Sequence, residues 1–395
     1  HRDLHSFPTR RSSDLGVMRL PETSGGLIDE DLSVKIIRRA IDGGVSYVDC
    51  AYTYHGGASE KVLGKALKNG YREKVFIADK IPSWLAKDEK DIEKMFEESF
   101  ARLDVDFIDM YLIHNITAPI WKKVQKLNVI PFLEQKQKEG KIGHLGFSFH
   151  DSLSLFKEVV NFRRWDFCQI QFNILDEHDQ AGIEGLQYAA SKGIGVIVME
   201  PLRGGSLSGK LPDKVERVYA TSQVKRSNAE WALRWVWNHP GIIVVLSGMN
   251  EEAHIEENLR IASEAEVGSL GEEDVAIVSK AAKTFREVMK VSCTGCQYCM
   301  PCPKNINIPL TFSFYNNKYL FNQGLMSRIL YLAQAGGVQG KKTGLASQCV
   351  ECGQCIKHCP QKIDVPGELK NVAKQFEGPM SKPMLFMIRD RKSVV

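Results

Sequence analysis

Long apolar runs are missing from this chain. No uninterrupted stretch approaches the roughly 18 residues that a membrane-spanning helix needs, and no apolar signal core follows the N-terminus, so a cytoplasmic protein without a membrane partner is expected. A strong excess of one charge is missing too: 52 Lys and Arg stand against 48 Asp and Glu, a net charge of +4, with the basic residues spread and locally balanced. No nucleic-acid partner is expected from that balance. Aromatics are few, at 9%, and 43% hydrophobic with 25% charged residues describes an ordinary globular chain rather than a disordered or fibrous one. Cysteine is nearly absent before Cys293, where only Cys50 and Cys168 occur, each read as a plain core thiol. That distribution, in a chain without an export signal, argues against a disulfide framework. A starting Met is also absent. Residues 1–15, "HRDLHSFPTRRSSDL", show no periodicity, and from Ser6 they resemble the translation of a sequencing adapter, so a non-native or disordered tail is expected there.

What is present is a repeat of strand and helix. At 395 residues the chain exceeds what one core accommodates, and two domains are expected. Short β-branched runs, "GVMRL" at 16, "VSYVD" at 45, "KVFIADK" at 74, "FIDMYLIH" at 107, "KIGHLGFS" at 141, "FCQIQFN" at 167, "IGVIVME" at 194 and "GIIVVLSG" at 241, alternate with amphipathic stretches such as "DLSVKIIRRAIDGG". Eight such units fit a (β/α)8 TIM barrel over residues 16–290, and the lack of GxGxxG after the first strand disfavours an open dinucleotide-binding sheet. Residues 291–395 lack long strands and should form a small, mainly helical and loop domain around the remaining eight cysteines.

In such a barrel, chemistry sits at the C-terminal ends of the strands. Asp49 ends the second strand, Tyr54 follows in its loop, Lys80 ends the third and His114 the fourth. Alone, each has a plain reading: a helix cap, surface packing, a satisfied core histidine. Together they make a proton donor. An ammonium beside a phenol should lower its pKa, Asp49 should aim Lys80, and His114 should give a second hydrogen bond to a carbonyl oxygen.

This set, with "DCAYTYHGGASEKVLGKAL" after the second strand, resembles the tetrad and signature of the aldo/keto reductase family over residues 16–265. The resemblance implies hydride transfer between NADPH or NADH and an aldehyde, ketone or alcohol, with Tyr54 as general acid and base. It also implies cofactor residues: Ser148 and Gln169 on the nicotinamide carboxamide, Met199 where an aromatic ring usually stacks, and Leu202, Gly204 and Gly205 near the pyrophosphate. Asn258 matches the adenosine site. Phe149 stands where an Asn completes the carboxamide clamp, a gap that His150 would have to fill. His254 and Gly248 stand where the family has basic residues for the 2'-phosphate, so discrimination between NADPH and NADH should be small.

The cysteines form two runs. "CVECGQCIKHCP" carries Cys349, Cys352, Cys355 and Cys359 in the bacterial ferredoxin spacing, and "CTGCQYCMPCP" carries Cys293, Cys296, Cys299 and Cys302 in a shortened version. Two [4Fe-4S] clusters are expected. By the ferredoxin rule the last Cys of each run crosses over, giving Cys293, Cys296, Cys299 and Cys359 for one cluster and Cys302, Cys349, Cys352 and Cys355 for the other. The long stretch Pro303–Gln348 leaves local closure of each run open, and zinc is the competing metal, though its sites space two pairs well apart. The expected protein is an NAD(P)H-dependent oxidoreductase fused to an iron-sulfur domain, with a redox partner at that domain. The alternative is an electron carrier or redox sensor with a silent barrel. A flavin has no motif in its favour.

Overall fold

The computed structural model describes residues 13–23, 26–337, 343–379 and 381. Eight parallel strands close into a barrel: β1 (Ser13–Gly16), β2 (Tyr47–Asp49), β3 (Phe76–Ile81), β4 (Ile108–Ile116), β5 (Ile142–Phe149), β6 (Phe167–Gln171), β7 (Gly195–Met199) and β8 (Ile242–Ser247). Every strand pairs with its neighbours in chain order, and β1 closes the ring onto β8 through Asp14↔Leu246. Helices cover the outside, among them α1 (Glu30–Asp42), α2 (Ala58–Ala66) and α3 (Glu89–Leu103). The first and third start on acidic caps: Asp29 accepts the Leu32 N–H at 3.1 Å and Asp88 the Asp91 N–H at 3.0 Å. Among the described residues, no helix is long and apolar enough to cross a membrane.

Two sequence expectations are corrected at the start of the chain. Of the strand expected from Gly16 on, only Gly16 is in a strand and Val17–Arg19 form a 3-10 turn, while the tail expected to end at residue 15 instead gives Ser13–Leu15 to β1. The strand has no alternation of its own to announce it; the open edges of β2 and β8 supply its ladder. Asp14 is fully buried there, and its carboxylate accepts the backbone N–H groups of Ser46 at 3.2 Å and Tyr47 at 3.0 Å. Residues 1–12 lie outside the described residues.

Alternation sets what fills the barrel. Tyr47, Ala78, Met110, Leu112, Phe167, Ile197, Val244 and Leu246 form one buried cluster drawn from six of the strands. Stepping two residues on along β2, β3, β4, β6 and β7 from that apolar stack gives Asp49, Lys80, His114, Gln169 and Met199. The polar layer is thus the next tier of the same pleat. Phe149 has the opposite parity to Ser148 and packs with Phe147 and Phe156, ring centroids 6.4 and 5.1 Å away.

The single boundary expected near residue 290 does not describe the packing. One compact unit runs to Leu202 and resumes over Ala229–Val275; the other takes Arg203–Asn228 together with the described residues from Ala276 on. The segment between β7 and β8 therefore belongs with the C-terminal part of the chain. Arg203, only 2% exposed, donates to Ser292 O at 3.0 Å within that second unit. Its core gathers Ile308 and Phe312 of helix Ile308–Leu320, Tyr331 of Gly324–Ala335, and Leu369 and Val372 of Val365–Phe376, with Cys293, Cys299, Cys302, Cys349 and Cys355 packed against it.

Candidate active site and cluster sites

Tyr54 opens a tight turn, Tyr54–Gly57, in which Gly56 and Gly57 take φ of 63° and 91°. Only glycine adopts such values freely, and a Cβ on Gly57 would stand 2.6 Å from Arg102 Nη1. That guanidinium binds Glu60 Oε2 at 2.8 Å, so "HGGASE" fixes the loop onto α3 before the chain enters α2.

The structure brings all four expected tetrad residues together. Lys80, 1% exposed, uses three donors on three acceptors: the Asp49 carboxylate, Cys50 O at 2.7 Å and the Tyr54 hydroxyl at 3.3 Å. The His114 ring meets the Tyr54 ring edge-on at 5.9 Å. One electrostatic expectation is corrected. The phenol of Tyr54 sits well above its usual pKa, because burial outweighs the ammonium and the Asp49 carboxylate adds to it. The group is a neutral phenol, a proton donor rather than a phenolate. Burial, then the Lys80 charge, hold the His114 imidazole well below its usual range, leaving it neutral with one N–H.

The expected cofactor residues are placed more loosely. Gln169 donates to Asp49 Oδ2 at 2.9 Å, tying itself into the tetrad. Ser148 Oγ accepts the Asn115 N–H at 2.7 Å. Met199 is half-buried at the end of β7, and Leu202 closes the first pass of the first unit. Gly204 and Gly205, left-handed at φ 67° and 93°, belong to the second unit. Asn258 is buried and donates to Ser247 Oγ at 2.9 Å; His254 and Gly248 are exposed.

Three features escaped the sequence reading. Trp84, in the loop after β3, meets His114 at 5.1 Å. Arg19 lies against Gly248, where a Cβ would touch its side chain at 3.4 Å. His150 starts a buried polar chain: its Nδ1 meets Gln180 Oε1 at 3.1 Å, Gln180 donates to Gln171 at 3.0 Å, and Gln171 donates to Asp176 at 2.8 Å. Burial lowers the His150 pKa to about 4. Only the strand-end position of His150 signalled any of this; the partners come from elsewhere in the chain. Cys50 and Cys168 are fully buried, and burial raises both thiols.

In the second unit two cavities open side by side on Cys299. One, of about 330 Å³, is lined by Cys293, Cys296, Cys299 and Cys359; the other, of about 400 Å³, by Cys302, Cys349, Cys352 and Cys355 together with Cys299. Among the described residues no three His, Cys, Asp or Glu side chains are arranged around a single metal ion. Four thiols spread around a larger space, walled by Ile308, Pro309 and Phe312 on one side and Pro366 and Leu369 on the other, match the donor set of a cube-shaped cluster. Cys299 is pushed up to about 12 by burial first, then by Cys293 and Cys359.

Comparison with known proteins divides the chain between residues 283 and 292, without the Arg203–Asn228 excursion. The model of the aldo/keto reductase family matches residues 14–283, and that of a 4Fe-4S dicluster domain matches residues 292–363. Methylglyoxal reductase YeaE of Escherichia coli is 27% identical over 281 residues, covering 67% of this chain and 92% of that protein. L-galactose dehydrogenase of Arabidopsis thaliana is 28% identical over 273 residues, covering 62% and 82%. Among solved structures, an aldo-keto reductase of Klebsiella pneumoniae in complex with NADPH superposes with a TM-score of 0.54 at 22% identity, covering 69% of this chain and 90% of that one, a likeness of fold.

Proposed function

The chain belongs to the aldo/keto reductase family, and on that premise we propose that it reduces a small aldehyde or ketone with NADPH or NADH, or runs the reverse oxidation. The observation that carries this reading is the Lys80 ammonium bonded at once to Asp49, Cys50 O and the Tyr54 hydroxyl, beside the neutral His114. The nicotinamide supplies the hydride. The rest is the work of this chain: Tyr54 gives its phenolic proton to the carbonyl oxygen as the carbon takes the hydride, and Lys80, bonded to Tyr54 O, stabilises the charge left on it. His114 offers its single N–H to the same carbonyl oxygen. Ser148 and Gln169 are proposed to orient the nicotinamide, with Met199 beside it and Leu202, Gly204, Gly205 and Asn258 toward its phosphates and adenosine.

The eight cysteines are proposed to hold two [4Fe-4S] clusters in the crossed arrangement, supported by the way the two cavities divide the thiols. The clusters supply one-electron carriage. A hydride is a two-electron donor, so exchange between clusters and nicotinamide within this chain is not expected, and a separate redox partner serves the second unit. The test of the barrel is Tyr54→Phe: carbonyl reduction should fall by about 10² to 10⁴ while cofactor binding holds. Turnover at the wild-type rate overturns the assignment.

A further inference from the structure

The two cavities differ in how they meet solvent. That lined by Cys293, Cys296 and Cys359 has no charged residue in its wall and is backed by Phe312 and Val365. The other includes a solvent-exposed cysteine. Cys352 is exposed there, flanked by Val350 at 56% and Ile356 at 42% exposure, large apolar side chains held in water beside a cavity. Lys304 lines the same cavity, and Lys357 follows Ile356 on the short helix Gln354–His358. Neither lysine is engaged in an ion pair among the described residues. The nearby acidic groups are already used: Glu351 pairs with Lys370 at 2.8 Å, and Asp364 caps its own helix at Gly367 N. What remains is an apolar centre with Lys304 and Lys357 exposed at its rim and unpaired among the described residues, a pattern that suits a docking surface for an acidic protein.

We infer that this face, centred on Val350, Cys352 and Ile356 and rimmed by Lys304 and Lys357, docks a small acidic one-electron carrier protein, and that electrons enter or leave the second unit through the Cys302, Cys349, Cys352 and Cys355 site rather than the other. In each encounter the reduced carrier would lose one electron to a cluster held by Cys302, Cys349, Cys352 and Cys355, with no bond made or broken. The inference rests on the reading of the cysteines as cluster ligands. Electrostatic complementarity raises the encounter rate and its salt dependence, while the apolar centre, once dry, lengthens the contact.

The test uses the full chain purified without oxygen, with iron and sulfide measured first, and a purified acidic ferredoxin as probe in binding titrations at low and high ionic strength. The wild type should bind, and binding should weaken as salt rises. Lys304→Glu with Lys357→Glu should raise the dissociation constant about tenfold or more, Ile356→Ser should raise it several-fold, and Lys61→Glu on the exposed face of α2 should leave it unchanged. Should the double variant lose iron, Lys357→Gln and the salt dependence of the wild type decide. Iron-free wild-type protein overturns the reading of the cysteines and this surface with it. Iron-loaded protein that ignores the probe, or binds it equally well in every variant, overturns the surface alone.

Discussion

The two units reach their chemistry by different routes. In the first, the site is held by bonds of the protein to itself: Gln169 and Lys80 both bind Asp49, from strands far apart in sequence, and Lys80 passes the arrangement to Tyr54. In the second, a modest core carries thiols at its border, and what the thiols have in common is two cavities rather than each other. A site of the first kind is built by folding. A site of the second kind takes part in folding, because iron ligation contributes directly to the stability of the fold around it. A buried thiol such as Cys299, whose proton is held by its surroundings, must release it on ligation.

Removing the iron is the sharpest way to break the parallel. Anaerobic chelation should unfold helices of the second unit while the barrel keeps its own, a partial loss of helical circular dichroism followed by a separate thermal transition for the remainder. A single transition with no loss on chelation would mean that both units are built by folding alone. Next comes Cys302→Ala, which should damage the centre completed by Cys349, Cys352 and Cys355 and spare the one beside Cys293. Spectroscopy that resolves two centres reads the result, and damage confined to the Cys293 centre would instead support local closure of each run.

A smaller effect tests the barrel through pH. The folded pKa of His150, near 4, lies below the ordinary value of 6.5, so the unfolded chain binds more protons between those limits. Stability from this group is therefore full above about pH 6.5 and falls as pH drops toward 4, by up to about 3 kcal/mol. Denaturant titrations of His150→Gln should show a flatter decline across that window than the wild type; parallel declines would remove His150 from the account. The smallest expected effect is cofactor choice. If Gly248 and His254 face the 2'-phosphate as proposed, the dissociation constants of NADPH and NADH should differ by less than about tenfold. A preference above about a hundredfold would assign the phosphate to another cation, with Arg19 beside Gly248 the first to substitute.

How much of this was legible follows from distance along the chain. Asp49, Lys80 and His114 could be read because each lies at or near the C-terminal end of a β-branched, apolar run. Tyr54 could be read from the glycines that its turn requires. The proposed cluster ligands could be picked out by their spacing alone. β1 could not, since "SDLG" has no pattern of its own and becomes a strand only between β2 and β8. The depth at which Tyr54 lies was equally hidden, and with it the direction of its pKa, because burial depends on the whole barrel. The chain from His150 to Asp176 joins residues that no local spacing connects.

The excursion between β7 and β8 bears on how the molecule is made and how it can be cut. Arg203–Asn228 leaves the ribosome before the residues it packs with from Ala276 on, so this early piece of the second unit waits, within the synthesis of the first, for a later part of the chain. Nor are the two units beads joined by one linker. A gene fragment ending at residue 290 would carry Arg203 without Ser292, leaving a buried guanidinium short of the carbonyl it donates to. A chimera that exchanges the iron-sulfur part would have to exchange Arg203–Asn228 with it.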